Sequence, residues 1–153
     1  MIALNIYFSS NDGVLRTDDQ VLACPGFARL EFDHGFGQHM TGQNSGPDFV
    51  VYGPVSVQLW GQGFVVGLRF FKEVVHGVTL TLKQSRTAAL DYDATETDLL
   101  AEKKKLTTLL SKQLECSPSS TSIGADVFEF SWGGIVARAD LKSTWCSIEV
   151  RYK

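Results

Sequence analysis

Apolar and polar positions alternate most regularly toward the end of the chain. In residues 126–132, Phe128, Phe130 and Trp132 alternate with Val127, Glu129 and Ser131, the period-2 signature of a strand with one face on a core. Gly133 and Gly134 break that run. Ile135, Ala137, Ala139 and Leu141 then alternate with Val136, Arg138 and Asp140, and Lys142-Ser143-Thr144 predicts a turn. In the last run Cys146, Ile148, Val150 and Tyr152 alternate with Trp145, Ser147, Glu149 and Arg151. A slip of one residue in any of the three would turn its apolar set to solvent, so the consistent phase specifies a register.

A helical period precedes this block. Leu99, Leu100, Leu106, Leu109, Leu110 and Leu114 recur at helical spacing, and Thr95 with Asp98 three residues on has the form of a capping box. The pattern predicts a helix over residues 95–115 with one stripe on a sheet. Asp93, Glu96 and Asp98 near its start and Lys103, Lys104, Lys105 and Lys112 further along suit the helix dipole, and Glu102 and Lys105 are spaced to pair on the exposed face. Ser117-Pro118-Ser119-Ser120 ends it.

The first half is patterned less evenly. Residues 1–8 predict an opening strand, closed by Ser9-Ser10-Asn11-Asp12-Gly13. Val21, Leu22 and Ala23 stop at Pro25-Gly26, and the alternation of Phe27, Arg29, Glu31 and Asp33 with Ala28, Leu30 and Phe32 predicts a short strand. Residues 34–47, rich in Gly, Gln, Asn and Ser, predict a long exposed loop. Two strand pieces, 49–52 and 55–60, flank Gly53-Pro54, where a bend or an edge position is expected because proline cannot donate to a ladder. Gly61-Gln62-Gly63 predicts a hairpin connection, and residues 64–71 are apolar on both sides except at Arg69. Val78, Leu80 and Leu82 complete a meander, and residues 88–93 connect it to the helix. The prediction is one α+β domain over 1–153: a twisted antiparallel sheet of about six to eight strands with one long helix packed on one face.

Composition narrows the function classes. The 153 residues are 44% hydrophobic and 20% charged, in the range of a globular protein. A net charge of -3 speaks against nucleic acid as the main partner, which needs a concentrated basic surface. No apolar run reaches the length of a membrane span, and the first residues lack the pattern of a secretory leader, so a cytoplasmic location and no membrane partner are expected. Cys24, Cys116 and Cys146 are widely spaced and odd in number, which predicts reduced thiols rather than a disulfide framework.

Residue types suited to catalysis and metal binding are present but scattered. Asp33, His34, His39 and Cys24 supply metal-ligand types without the H-x-x-x-H or C-x-x-C spacing that would bring them together. No local signature pairs Cys24 or Cys146 with His34, His39 or His76 as nucleophile and base. Ser9, Ser10 and Ser45 lie outside G-x-S-x-G, and neither Gly35-Phe36-Gly37 nor Gly61-Gln62-Gly63 opens a helix as a phosphate loop does. Asp91 and Asp93 are placed to cap a helix entrance. The expectation is no catalysis, no metal and no cofactor. Charge is more informative: between residues 12 and 48 six acids (Asp12, Asp18, Asp19, Glu31, Asp33, Asp48) face two bases (Arg16, Arg29). Asp12, Asp18, Asp19, Asp33 and Asp48 are therefore the expected contacts to a basic protein partner, since complementary fields speed encounter.

The run F-E-F-S-W-G-G-I-V-A-R-A-D-L-K-S-T-W-C-S-I-E-V-R-Y, preceded by a Leu/Lys/Glu helix, resembles the C-terminal part of bacterial polymorphic-toxin immunity proteins. The resemblance covers the last third of the chain. It implies an α+β protein that binds a cognate toxin and neutralises it by occluding its active site. The alternative expectation is a small-molecule or lipid-type binding module, its cavity lined by residues 64–71 and Trp60.

Overall fold

The computed structural model of the protein describes residues 4–153, so the first three residues of the expected opening strand lie outside the described residues. The N-terminal part comprises β1 (Leu4–Asn5), β2 (Tyr7–Ser9), β3 (Val14–Arg16), β4 (Val21–Ala23), α1 (Arg29–His34) and β5 (Gln43–Asn44). A meander follows: β6 (Phe49–Leu59), β7 (Gln62–Phe71) and β8 (Val74–Leu82). After it come α2 (Arg86–Leu90), a 3-10 turn at Asp91–Asp93, and α3 (Glu96–Leu114). The chain closes with β9 (Ser120–Thr121), β10 (Ala125–Phe130), β11 (Gly133–Asp140) and β12 (Trp145–Tyr152).

The main sheet has nine strands rather than six to eight, in the order β1-β6-β7-β8-β12-β11-β10-β9 with β5 also on β6. It is mixed: β1 runs parallel to β6 and the other pairs are antiparallel. A second sheet, β2-β3-β4, is also antiparallel. The expected opening strand is thus divided at Ile6, with β1 in one sheet and β2 in the other.

The C-terminal alternation decides which face of the main sheet is the core. Ile135, Ala137 and Ala139 of β11 and Cys146, Ile148, Val150 and Tyr152 of β12 are all buried on one side. Helix α3 lies over these two strands with Leu99, Leu106 and Leu110 buried. Each such side chain removed from water contributes roughly 1.5–3 kcal/mol. The capping box forms as expected: Thr95 Oγ1 accepts from Asp98 N at 3.2 Å while Asp98 Oδ2 accepts from Thr95 N at 2.9 Å. Capping of α3 therefore falls to Thr95 and Asp98, not to Asp91 and Asp93, which form the preceding 3-10 turn.

Two charged side chains of α3 are buried, and the exposed Glu102–Lys105 pair expected from spacing is replaced by them. Glu102 turns inward: Ser85 Oγ donates to its two oxygens at 2.8 and 2.9 Å, and Thr87 donates through Oγ1 at 3.0 Å and through N at 3.3 Å. Lys103 Nζ donates to Asp126 Oδ1 at 3.0 Å and to the Ser122 carbonyl at 2.7 Å, and Thr107 Oγ1 completes the carboxylate at 2.7 Å. These two networks tie α3 to α2 on one side and to the β9–β10 connection on the other. Buried charge is tolerated there because, among the described residues, no buried side-chain nitrogen or oxygen lacks a hydrogen-bond partner.

The other half of the same face is covered by the N-terminal elements. Phe32 of α1 packs on Tyr52 at 4.8 Å and on Phe70 at 5.4 Å between ring centroids. The strand expected over residues 27–33 is therefore corrected to a helix. Six residues that bury only Phe32 give too little periodicity to separate the two states, and Arg29–Asp33 spacing pairs across one helical turn at 3.8 Å. Residues 88–93, expected as a connector, belong partly to α2, whose N-cap Ser85 accepts from Ala88 N. The long loop 34–47 contains β5 and sends Phe36 and Met40 against the core. The turn expected at Gly133-Gly134 lies at Ser131-Trp132, since Phe130 pairs with Gly133. Likewise the β6–β7 turn is Trp60-Gly61, both with positive φ, the geometry of a two-residue hairpin. Among the described residues, no helix is long and apolar enough to cross a membrane.

Asp126 and Lys103 have side chains only 12% and 10% exposed, so removing one leaves the other buried without its counter-ion. Asp126→Ala is expected to lower unfolding free energy by about 3–5 kcal/mol in urea denaturation, and Lys103→Met with Asp126→Leu to regain most of that loss. A single-variant loss below about 1 kcal/mol, the value of a surface pair, would show that water reaches the pair.

Candidate functional site

With one face of the main sheet covered, the other is open over the meander and β12. Its side chains follow from the register. Across the strands, Val51 faces Arg69, Arg69 faces Gly77, Gly77 faces Arg151 and Arg151 faces Gly134. Arg69 and Arg151 thus stand on either side of a glycine, two strand spacings apart, which is about 9.5 Å between backbones. The absence of a side chain at Gly77 leaves a groove of about 250 Å³ between them, floored further by Gly67 and Thr79 and bounded by Ser45, His76 and Glu149. Gly77 is held to glycine by the close backbone: a Cβ there would sit 2.9 Å from the Val150 carbonyl oxygen.

Two irregularities in the meander place the groove's walls. Tyr52 faces Leu68 but Val55 faces Val66, so β6 holds one extra residue at Gly53-Pro54 and its inward set passes from Val50 and Tyr52 to Val57 and Leu59. Among the described residues, the outer side of β6 has no strand partner at Gly53-Pro54, between β5 at Val50 and Val51 and β1 at Val57 and Gln58, which is the edge position expected for proline. In β8, Arg69 faces Gly77 but Phe70 faces Val75, which makes His76 the extra residue and turns it to the open face.

His76 stands against Phe49 at 5.7 Å and Phe71 at 6.2 Å between ring centroids, and those two phenyl rings are 4.7 Å apart. The Arg69 guanidinium lies 5.4 Å over Phe49. Partial burial, followed by the charges of Arg69 and Arg151, pushes the His76 pKa below the usual imidazole value, so the ring is neutral at pH 7. Glu149 is fully engaged: Arg138 Nη1 donates to Oε1 at 3.1 Å, and Arg151 donates to Oε2 through Nη2 at 2.7 Å and Nε at 3.1 Å. Among the described residues, Arg69 has no carboxylate within ion-pair distance, and its partner is the aromatic face. His76 and Glu149 share a groove, as an acid–base pair would, but both carboxylate oxygens are held by arginine.

The residues singled out from sequence lie elsewhere. Asp12 accepts from Val14 N at 3.2 Å in the β2–β3 turn, and Asp18 and Asp19 occupy the β3–β4 turn. Asp33 accepts the Tyr52 hydroxyl at 2.5 Å, and Asp48 sits in the turn before β6. Three belong to the small sheet and two to the α1–β6 region, so the five are divided between two parts of the fold. Cys146 is buried, and burial with the nearby Glu102 charge pushes its thiol up to about 11, a protonated and unreactive group at neutral pH. His34 and His39 are exposed, Cys24 is half-buried and Cys116 exposed. Among the described residues, no three His, Cys, Asp or Glu side chains gather as metal ligands do. Phe64, Val66, Leu68 and Phe70, the inward set that was to line a ligand cavity, are all fully buried in the core.

The sequence pattern weighs His76 only as a base for a cysteine and marks Arg69 only as a break in an apolar strand, and does not connect either with Arg151. The available signal was Arg69 itself, the one charge in an apolar strand, together with Gly67 and Gly77 in neighbouring strands. Their juxtaposition needs the cross-strand register and the extra residue at His76, which no local pattern encodes.

No family model matches the chain, and no curated protein does. One similar solved structure is that of Rhs1-CT in complex with cognate immunity protein RhsI1. A chain of it superposes with a TM-score of 0.51 at 12% identity, over 97% of this chain and 87% of that one. At that identity the likeness is one of fold, spread over the whole chain rather than the last third.

In an NMR titration, His76 is expected to change charge below the ordinary imidazole value of 6.5, and Arg69→Gln or Arg151→Gln to move its midpoint upward by removing a repelling charge. A midpoint at or above 6.5 in the native protein would contradict the described surroundings of the ring.

Proposed function

We propose that this chain is a protein-binding protein that holds a cognate toxin and neutralises it by occluding its active site, with no catalysis of its own. The observation that supports the reading is the fold likeness, over 97% of the chain, to a chain in the structure that pairs Rhs1-CT with a cognate immunity protein. The resemblance of the C-terminal run to immunity proteins points the same way. The open sheet face adds chemistry suited to it: aromatic and arginine side chains are those that anchor protein interfaces. In this reading the protein acts in the bacterial cytoplasm, beside the cell's own copy of the toxin.

The carboxylates Asp12, Asp18, Asp19, Asp33 and Asp48 are offered as contacts to a basic region of that partner. Asp18 and Asp19 are the most accessible test, because both are exposed in one turn. Affinity capture of the tagged chain co-expressed with the neighbouring gene product is expected to retain that product and to protect the cell. Asp18→Asn with Asp19→Asn should then slow association by about tenfold at low salt if this turn is in the contact. A neighbouring product that is neither retained nor toxic would remove the reading.

A further inference from the structure

Beyond the toxin-binding reading, on which it rests, the open face specifies the chemistry of what it touches. We infer that the groove between Arg69 and Arg151 is the docking site for an acidic segment of the protein partner, with a carboxylate on Arg69 and backbone lying across Gly77 and Gly67.

The groove has the charge for it. Arg69, Arg138 and Arg151 project from three different strands onto one face, against Glu149 and Asp140. Arg138 serves both acids, at 3.1 Å to Glu149 and 3.9 Å to Asp140, and Arg151 serves Glu149. That leaves Arg69 as the one of these three arginines without a carboxylate partner among the described residues, in a chain with more acids than bases. Its guanidinium is already oriented by the Phe49 ring at 5.4 Å, so little freedom is lost when its remaining donors take a carboxylate in the two-pronged geometry that arginine favours.

The groove also has the shape for an extended chain. Gly77 and Gly67 leave a strip of the face without side chains. At one end of it Phe71 is 36% exposed, with Lys72 Nζ lying 5.4 Å over its ring, so an apolar side chain and a second acid of the segment have a place beside the anchor. Glu149 closes the opposite wall and, with both oxygens held by arginine, repels acids there less than a free carboxylate. The sign of this contact is opposite to that expected from the N-terminal carboxylates, and it involves a different part of the fold.

Fluorescence anisotropy tests the inference with three labelled probes of equal length: a poly-glutamate peptide, a poly-glutamine peptide and a single-stranded oligonucleotide. The glutamate peptide is expected to bind at least about tenfold more tightly than the glutamine one and to weaken as salt rises. Arg69→Ala and Arg151→Ala should each cost it about tenfold, as loss of one charged hydrogen-bonding partner does, while Asp18→Asn with Asp19→Asn leaves it unchanged. Both arginines are exposed, so the variants are expected to melt with the native protein, and a charge-reversing Arg69→Glu repeats the test at the same position. Equal binding of both peptides, wild-type affinity in the arginine variants, or tighter binding of the oligonucleotide would overturn it. If the neighbouring gene product is captured equally by wild type and both arginine variants, the groove fails and the toxin reading stands. If the glutamate peptide binds but no toxin partner exists, the reverse holds.

Discussion

The seating of α3 on β11 and β12 is the constraint on which the rest of the structure depends. Its leucines close one half of the sheet's inner face, and the two charges that follow Ala101 fix where the helix sits. Glu102 and Lys103 point to opposite sides, one into the hydroxyls of Ser85 and Thr87, the other into Asp126. A helix held only by leucines could slide by a turn with modest loss, because apolar contact is non-directional. A helix with a carboxylate and an ammonium each locked to a fixed partner cannot, since any other position strands a buried charge.

Covering one face completely is what makes the opposite face available. The small sheet, α1 and α3 occupy the inner side, and a single layer of strands separates them from the groove. The floor is therefore rigid: its strands are central in the sheet, and the side chains on their reverse, Leu68, Val78 and Val150, are buried in the core. Binding at such a floor orders few additional groups, which keeps the entropic cost of association low.

How much of this was legible in the sequence varied with the length of each pattern. Residues 95–115 and the three C-terminal alternations were readable because many positions repeat one period and the caps agree with it. Residues 29–34 were not, since one buried phenylalanine in six residues fits either a helix or a strand. Glu102 and Lys103 were taken as surface charges because their partners, Ser85, Thr87 and Asp126, are 15 to 23 positions away. The parallel β1–β6 pairing was equally hidden, for it joins residues more than fifty positions apart through a crossover that no local signal announces. The groove was invisible for the same reason: Arg69, Gly77 and Arg151 become neighbours only through pairing.

Two hydrogen bonds tie the small sheet to residues that come more than a hundred positions later in the sequence. Trp132 Nε1 donates to the Ser10 carbonyl at 2.7 Å, and the Tyr152 hydroxyl donates to the Gly13 carbonyl at 2.8 Å. The small sheet thus takes an anchor from residues translated long after its own strands. At ribosomal rates of about 5–20 residues per second, its strands wait roughly 6–25 s after synthesis before Trp132 emerges. During that interval Leu15 and Leu22, both buried in the finished protein, have no complete core to enter. Vectorial synthesis therefore leaves the apolar side chains of the small sheet uncovered for longer than those of the C-terminal strands.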